Sequence, residues 1–173
     1  MNVLLLRHTR VAIPAGLCYG WTDVPLAASF ADEAAAVKNA LPWTPDEIRS
    51  SPAARCRQLA ATLTADPVHI EPRLAEMHMG EWENRRWDEL SGPVHQAWMA
   101  DPWGTRAPGG ENSADLLARV AALRDEILGA KPERLLLVRH AGVIRAWRSL
   151  AENRPLPDLF NEPVPFGSLT EAR

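Results

Sequence analysis

Two short apolar runs end in the same dipeptide. Val3-Leu4-Leu5-Leu6 leads directly into Arg7-His8, and Leu135-Leu136-Leu137-Val138 leads into Arg139-His140. A lone histidine at a strand end is normally solvated or bonded to a backbone carbonyl. Two of them, each beside an arginine, are better explained as a site. A neutral imidazole is a nucleophile able to form a covalent intermediate. Arg7 beside it would supply charge for an anion, and His140 would donate a hydrogen bond. Gly142 and the helix start after it add backbone N–H groups where an anion would sit.

Two further segments carry candidates. In Ser50-Ser51-Pro52-Ala53-Ala54-Arg55-Cys56-Arg57, Arg55 can clamp two oxygens of a phosphate with its planar guanidinium. Arg57, two positions on, faces elsewhere and is assigned to the surface. In Arg73-Leu74-Ala75-Glu76-Met77-His78-Met79-Gly80-Glu81-Trp82-Glu83, three glutamates and a histidine compete for the role of general acid. Composition does not choose among them. Two histidines, at least two arginines and one carboxyl suit phosphoryl transfer, where catalysis is mostly positioning and charge stabilisation.

The elements that must hold these residues follow from periodicity. Residues 2–6 and 135–138 read as buried strands, and 47–50 and 68–70 as shorter ones. Residues 30–41 form an alanine-rich helix stopped by Pro42. A second helix begins at Ser51-Pro52, with proline in the first helical position, and runs to about Thr64. Ser113 precedes the strongest helix, whose Leu116, Leu117, Val120, Leu123 and Ile127 follow the 3.6 period and which Gly129 ends. A further helix spans Gly142 to about Leu150, and 164–169 is expected as an edge strand. Strands alternating with helices predict an α/β fold, with ligands at the carboxyl ends of a largely parallel sheet. Residues 10–29 are a Pro- and Gly-rich loop. Residues 71–110 are loop-rich and hold four of the seven tryptophans, Trp82, Trp87, Trp98 and Trp103. These either wall a pocket for a planar ring or pack in the core.

The 173 residues, 46% of them apolar, suit one domain spanning 1–173. A net charge of −3 leaves no basic footprint for nucleic acid. No apolar run is long enough for a membrane span, and no signal peptide is visible. Cys18 and Cys56 read as free thiols, so the expected location is the cytoplasm. No CxxC or HExxH pattern supports a metal.

Four segments, LLLRHTR, SSPAARCRQLA, RLAEMHMGEWENRRWDEL and LLLVRHAGVIRAW, together resemble the histidine phosphatase superfamily, which includes cofactor-dependent phosphoglycerate mutase. They lie in that family's order across nearly the whole chain. The resemblance implies a three-layer α/β/α sandwich, no cofactor and no metal. It implies that His8 is phosphorylated, that Arg7, Arg55 and His140 bind phosphate, and that Glu76, four residues before Gly80, is the proton donor. The segments LCYGWTDVPL, PGGENS and HAGVIR further resemble the alpha-ribazole phosphatase subgroup, whose chains are short and act late in cobalamin assembly. Thr9, Arg10, Pro14 and Ala141 depart from the wider family, and the first two of these disfavour a mutase. The expected partner is a small-molecule phosphomonoester; the family allows a homodimer, and the sequence does not fix the oligomeric state. The rivals are a broad-specificity phosphatase or mutase, and a non-catalytic protein that keeps the pocket. The roles of Thr9, Arg139 and Arg145 stay open, with a surface ion pair favoured for Arg145.

Overall fold

The two Arg-His strands are neighbours. In the computed structural model, which describes residues 1–172, β1 (Asn2–Arg7) pairs in parallel with β4 (Arg134–Arg139), Leu5 opposite Leu137 and Arg7 opposite Arg139. β2 (Glu47–Ser50) lies on the other side of β4, and β3 (His69–Ile70) lies beyond β2. β5 (Leu169–Glu171) joins the free edge of β1 antiparallel. The described residues therefore form a five-stranded, largely parallel sheet in the order β3-β2-β4-β1-β5.

Both faces of this sheet are covered, which explains why β1 and β4 are apolar at consecutive positions rather than alternate ones. Val3, Leu5, Leu135 and Leu137 pack under α4 (Ser113–Ala130) and α5 (Ala141–Glu152). Leu4, Leu6, Leu136 and Val138 pack under α1 (Phe30–Ala40) and α2 (Ala54–Leu63) on the opposite face. The result is the expected three-layer α/β/α sandwich. A smaller apolar cluster of Cys18, Met79, Trp82, Leu90 and Ala107 sits under the 71–110 region, which contains three 3₁₀ turns and α3 (Pro93–Ala100). No helix among the described residues is long and apolar enough to cross a membrane.

Several boundaries differ from the sequence reading, each for a physical reason. The second helix begins at Ala54, not at Ser51-Pro52. Its first amide is capped from a distance by Asp23 Oδ1 (2.7 Å), so Ser51 and Pro52 stay outside it. Ser113 is the first residue of α4 and not its cap. Asn112 caps it, in a reciprocal box with Asp115. That helix runs through Gly129 and ends at Ala130, because Lys131 precedes Pro132 and leaves the helical region for a left-handed φ of 50°. The last strand begins at Leu169, since Pro165 and the turn at Gly167 (φ 69°) bend the preceding residues around Arg7.

Candidate active site

His8 and His140 lie just past the carboxyl ends of β1 and β4, with ring centroids 5.2 Å apart. Register pairing makes them neighbours, and the His8 N–H continues the ladder by donating to the Arg139 carbonyl (2.9 Å). The His8 Nδ1 lies 2.7 Å from the Thr9 carbonyl oxygen, an acceptor only. Nδ1 must therefore carry the proton, and Nε2 keeps its lone pair. Burial pushes the His8 pKa down to about 3, with Arg55 and Arg7 acting in the same direction against the Thr9 hydrogen bond. The imidazole is neutral at pH 7, as a nucleophile requires.

His140 is fully enclosed. Its Nε2 lies 2.8 Å from Ser51 Oγ, and its Nδ1 accepts from Arg55 Nη2 (3.3 Å). Burial, then the charge of Arg55, holds it neutral, well below the usual histidine range. The kink that keeps Ser51 out of α2 is what delivers this hydroxyl.

Arg55 is 1% exposed, on the first turn of α2, whereas Arg57 faces solvent as expected. Its guanidinium donates to the carbonyls of Gly20 (2.7 Å) and Thr22 (2.9 Å). Arg7 Nη1 donates to the Val164 carbonyl, and its guanidinium carbon lies 3.7 Å from the Phe166 ring centroid. Both arginines are thus oriented by backbone carbonyls and rings rather than by carboxylates.

Glu76 approaches from the opposite wall. Its Oε1 accepts from the Met77 N–H (2.9 Å) and its Oε2 from the Gly142 N–H (3.0 Å) in the first turn of α5. The helix N-terminus therefore holds this carboxylate. A Cβ at position 142 would lie 2.2 Å from Glu76 Oε1, so only glycine leaves room for it.

Of the competing acids in that segment, Glu81 is exposed. Glu83 does something the sequence reading missed. Its carboxylate accepts from the N–H groups of Gly20, Trp21, Thr22 and Met79 and from the Thr22 hydroxyl. These bonds outweigh its partial burial and lower its pKa to about 2. It folds the 20–22 segment into the strap whose carbonyls hold Arg55. Its nearness to Glu76 in sequence was the available signal, but a wrap around a distant loop has no local signature.

The structure also places Arg139, Thr9 and Arg145. Arg139 does not reach the histidines. It is fully buried, with its guanidinium 5.0 Å from the Trp147 ring centroid. Thr9 is buried and serves through its carbonyl. Arg145 is not a surface ion-pair residue. It donates to the Glu162 carbonyl (3.1 Å), lies 5.7 Å from the Phe160 ring centroid and faces a cavity.

That cavity, about 260 Å³, opens beside Glu76 and Gly142 and is mostly apolar, with Tyr19, Met77, Trp87 and Leu156 in its walls. The tryptophans divide between the two expected uses. Trp87 and Trp103 line the cavity, while Trp82 is buried and Trp98 packs edge-on against it.

Comparison with known proteins points the same way. The Salmonella typhimurium adenosylcobalamin/alpha-ribazole phosphatase is 30% identical over 154 residues, covering 83% of this chain and 76% of that protein. The crystal structure of the alpha-ribazole phosphatase from Shigella flexneri matches with a TM-score of 0.91 at 25% identity, over 99% of this chain and 89% of that one. A mycobacterial glucosyl-3-phosphoglycerate phosphatase matches with a TM-score of 0.84 at 26% identity, over 98% and 88%. The chain spans 65% of one curated relative, from Hydrogenobacter thermophilus, and half of another, the bifunctional protein Rv2228c of Mycobacterium tuberculosis. The family model for the histidine phosphatase superfamily (branch 1) matches residues 3–173, and the chain belongs to that superfamily.

Proposed function

We propose that this chain is a phosphomonoesterase acting through a phosphohistidine on His8, with alpha-ribazole 5′-phosphate as its substrate. The observation that carries the chemistry is the state of His8: neutral, its Nδ1–H held on Thr9, its Nε2 without a proton, between two arginines. In the first step Nε2 attacks phosphorus in line and the ester P–O bond breaks. Arg7, Arg55 and His140 stabilise the equatorial oxygens. In the resting site His140 Nδ1 accepts from Arg55; once Arg55 turns its donors to the phosphoryl oxygens, the Ser51 hydroxyl donates to Nε2 and His140 presents an Nδ1–H to the phosphoryl group. Glu76 gives its proton to the departing alkoxide. In the second step Glu76 takes a proton from water, the water oxygen attacks phosphorus, and the P–N bond breaks to release inorganic phosphate.

The substrate assignment rests on the names of the relatives and on the cavity beside Glu76, whose aromatic and aliphatic walls suit a planar apolar leaving group. The buried free thiols Cys18 and Cys56 agree with a cytoplasmic location. The test is hydrolysis of alpha-ribazole 5′-phosphate against a panel of phosphomonoesters, wild type beside His8→Ala. Alpha-ribazole phosphate should lead the panel in kcat/KM by at least about a hundredfold, with the variant inactive. Equal cleavage of simple esters would keep the phosphatase and remove the substrate. A bisphosphoglycerate requirement would mark a mutase, and an active His8→Ala would overturn the mechanism.

A further inference from the structure

Glu76 sits in a stretch with no strand or helix of its own between Leu74 and Gly80, yet its carboxylate must be held to a fraction of an ångström. The backbone there is organised from outside by one side chain. Arg119, on α4, spends all five of its N–H donors on this region. Its Nη1 donates to the carbonyls of Arg73 (2.8 Å) and Ala75 (2.7 Å), and its Nη2 to the carbonyl of Glu76 itself (2.9 Å). The remaining bonds run from Nε and Nη2 to the two oxygens of Glu111 (2.8 and 3.0 Å). Glu111 closes the loop: its Oε2 accepts from the His78 N–H, and its own N–H donates to the His78 carbonyl, both at 2.8 Å. The Glu76 carbonyl also accepts from Trp21 Nε1 (2.7 Å).

We infer that Arg119, oriented by Glu111, is the positioning residue that sets where Glu76 delivers its proton. This rests on the reading of Glu76 as proton donor. Neither Arg119 nor Glu111 hydrogen-bonds a residue of the phosphate pocket; the charge of Arg119 helps keep His140 neutral, and Arg119→Lys preserves that charge, so what the substitution changes runs through Glu76. Three backbone carbonyls and a bidentate carboxylate need a planar fork of fixed geometry. A lysine offers only a point charge on a flexible stem, so Arg119→Lys keeps the charge and loses the grip.

The test separates proton donation from folding by leaving-group dependence. Nitrophenolate leaves without a proton, whereas a benzyl alkoxide needs one. Arg119→Lys should lower kcat/KM for benzyl phosphate by roughly tenfold or more while changing 4-nitrophenyl phosphate by less than about threefold. Glu111→Gln should give a smaller split of the same kind. Glu76→Gln should give the full split, and adding Arg119→Lys to it should deepen the split no further. An equal fall on both substrates, or no fall, would overturn the inference. If Glu76→Gln itself shows no split, the proton-donor reading fails, and the positioning role fails with it.

Discussion

Gly142 and Glu76 are joined by a 3.0 Å hydrogen bond with no room for a Cβ beside it, and the encounter is one-sided. The neighbour that a Cβ would strike is the end of a flexible side chain, not backbone. Gly142→Ala should therefore leave the fold intact, and its higher helix propensity offsets part of any strain. What it displaces is the carboxylate. We expect a loss of about ten- to a hundredfold in kcat/KM on an alkyl phosphate, with unfolding free energy within about 1 kcal/mol of wild type. Steady-state kinetics beside urea unfolding checks both, and a stable, fully active variant would refute the placement of Glu76. At this scale the sequence was informative where chemistry is carried by rare residue types. His8, His140 and Arg55 stood out because an ordinary strand end or helix start has little use for them. Glu76 did not stand out among Glu81 and Glu83 until a resemblance selected it, because carboxylates are common and the three lie close in sequence.

Between residues and fold stand the strap at 20–22 and the irregular stretch at 75–79. Neither has a regular hydrogen-bond ladder, and each is held by a side chain from elsewhere, Glu83 for the first and Arg119 for the second. Glu83→Ala would strip the strap of its acceptor and leave the Gly20 and Thr22 carbonyls free to drift from Arg55. The expected result is faster amide exchange at Gly20, Trp21 and Thr22, a stability loss of about 2 kcal/mol and a several-fold rise in KM for 4-nitrophenyl phosphate. Unchanged exchange would show that the strap is held otherwise. Regular elements were legible because periodicity reports burial, and β1, β2, β4 and α1 fall within a residue or two of expectation. The misplaced ends have tertiary causes: Asp23 caps α2 from a loop, and Pro165 and Gly167 shape the turn that grips Arg7.

For the molecule as a whole, two neutral histidines in the interior make stability depend on pH. Burial lowers the pKa of both below the ordinary 6.5, to about 3 for His8. The unfolded chain binds protons at these positions as pH falls through about 6.5, while the folded chain does not. Stability is thus complete above about pH 6.5 and declines below it, by up to about 1.4 kcal/mol per pH unit for each histidine. Glu83, lowered from 4.5 to about 2, adds its own loss only in more acidic solution, below its unfolded value. Urea unfolding at about pH 7 and about pH 5 should show the decline, and His8→Asn should reduce its slope. Equal stability at both pH values would mean that the histidines are protonated when folded.

The in-register pairing of β1 with β4 has a consequence for how the chain tolerates insertions and deletions. Along both strands, odd positions face one helical layer and even positions the other. Deleting one residue from either strand would send Leu5 or Leu137 to the wrong layer and shift its histidine out of step with the other. The slip that breaks the hydrophobic packing also separates the two imidazoles. A misregistered chain would be both unstable and inert, with no half-working intermediate between it and the native arrangement.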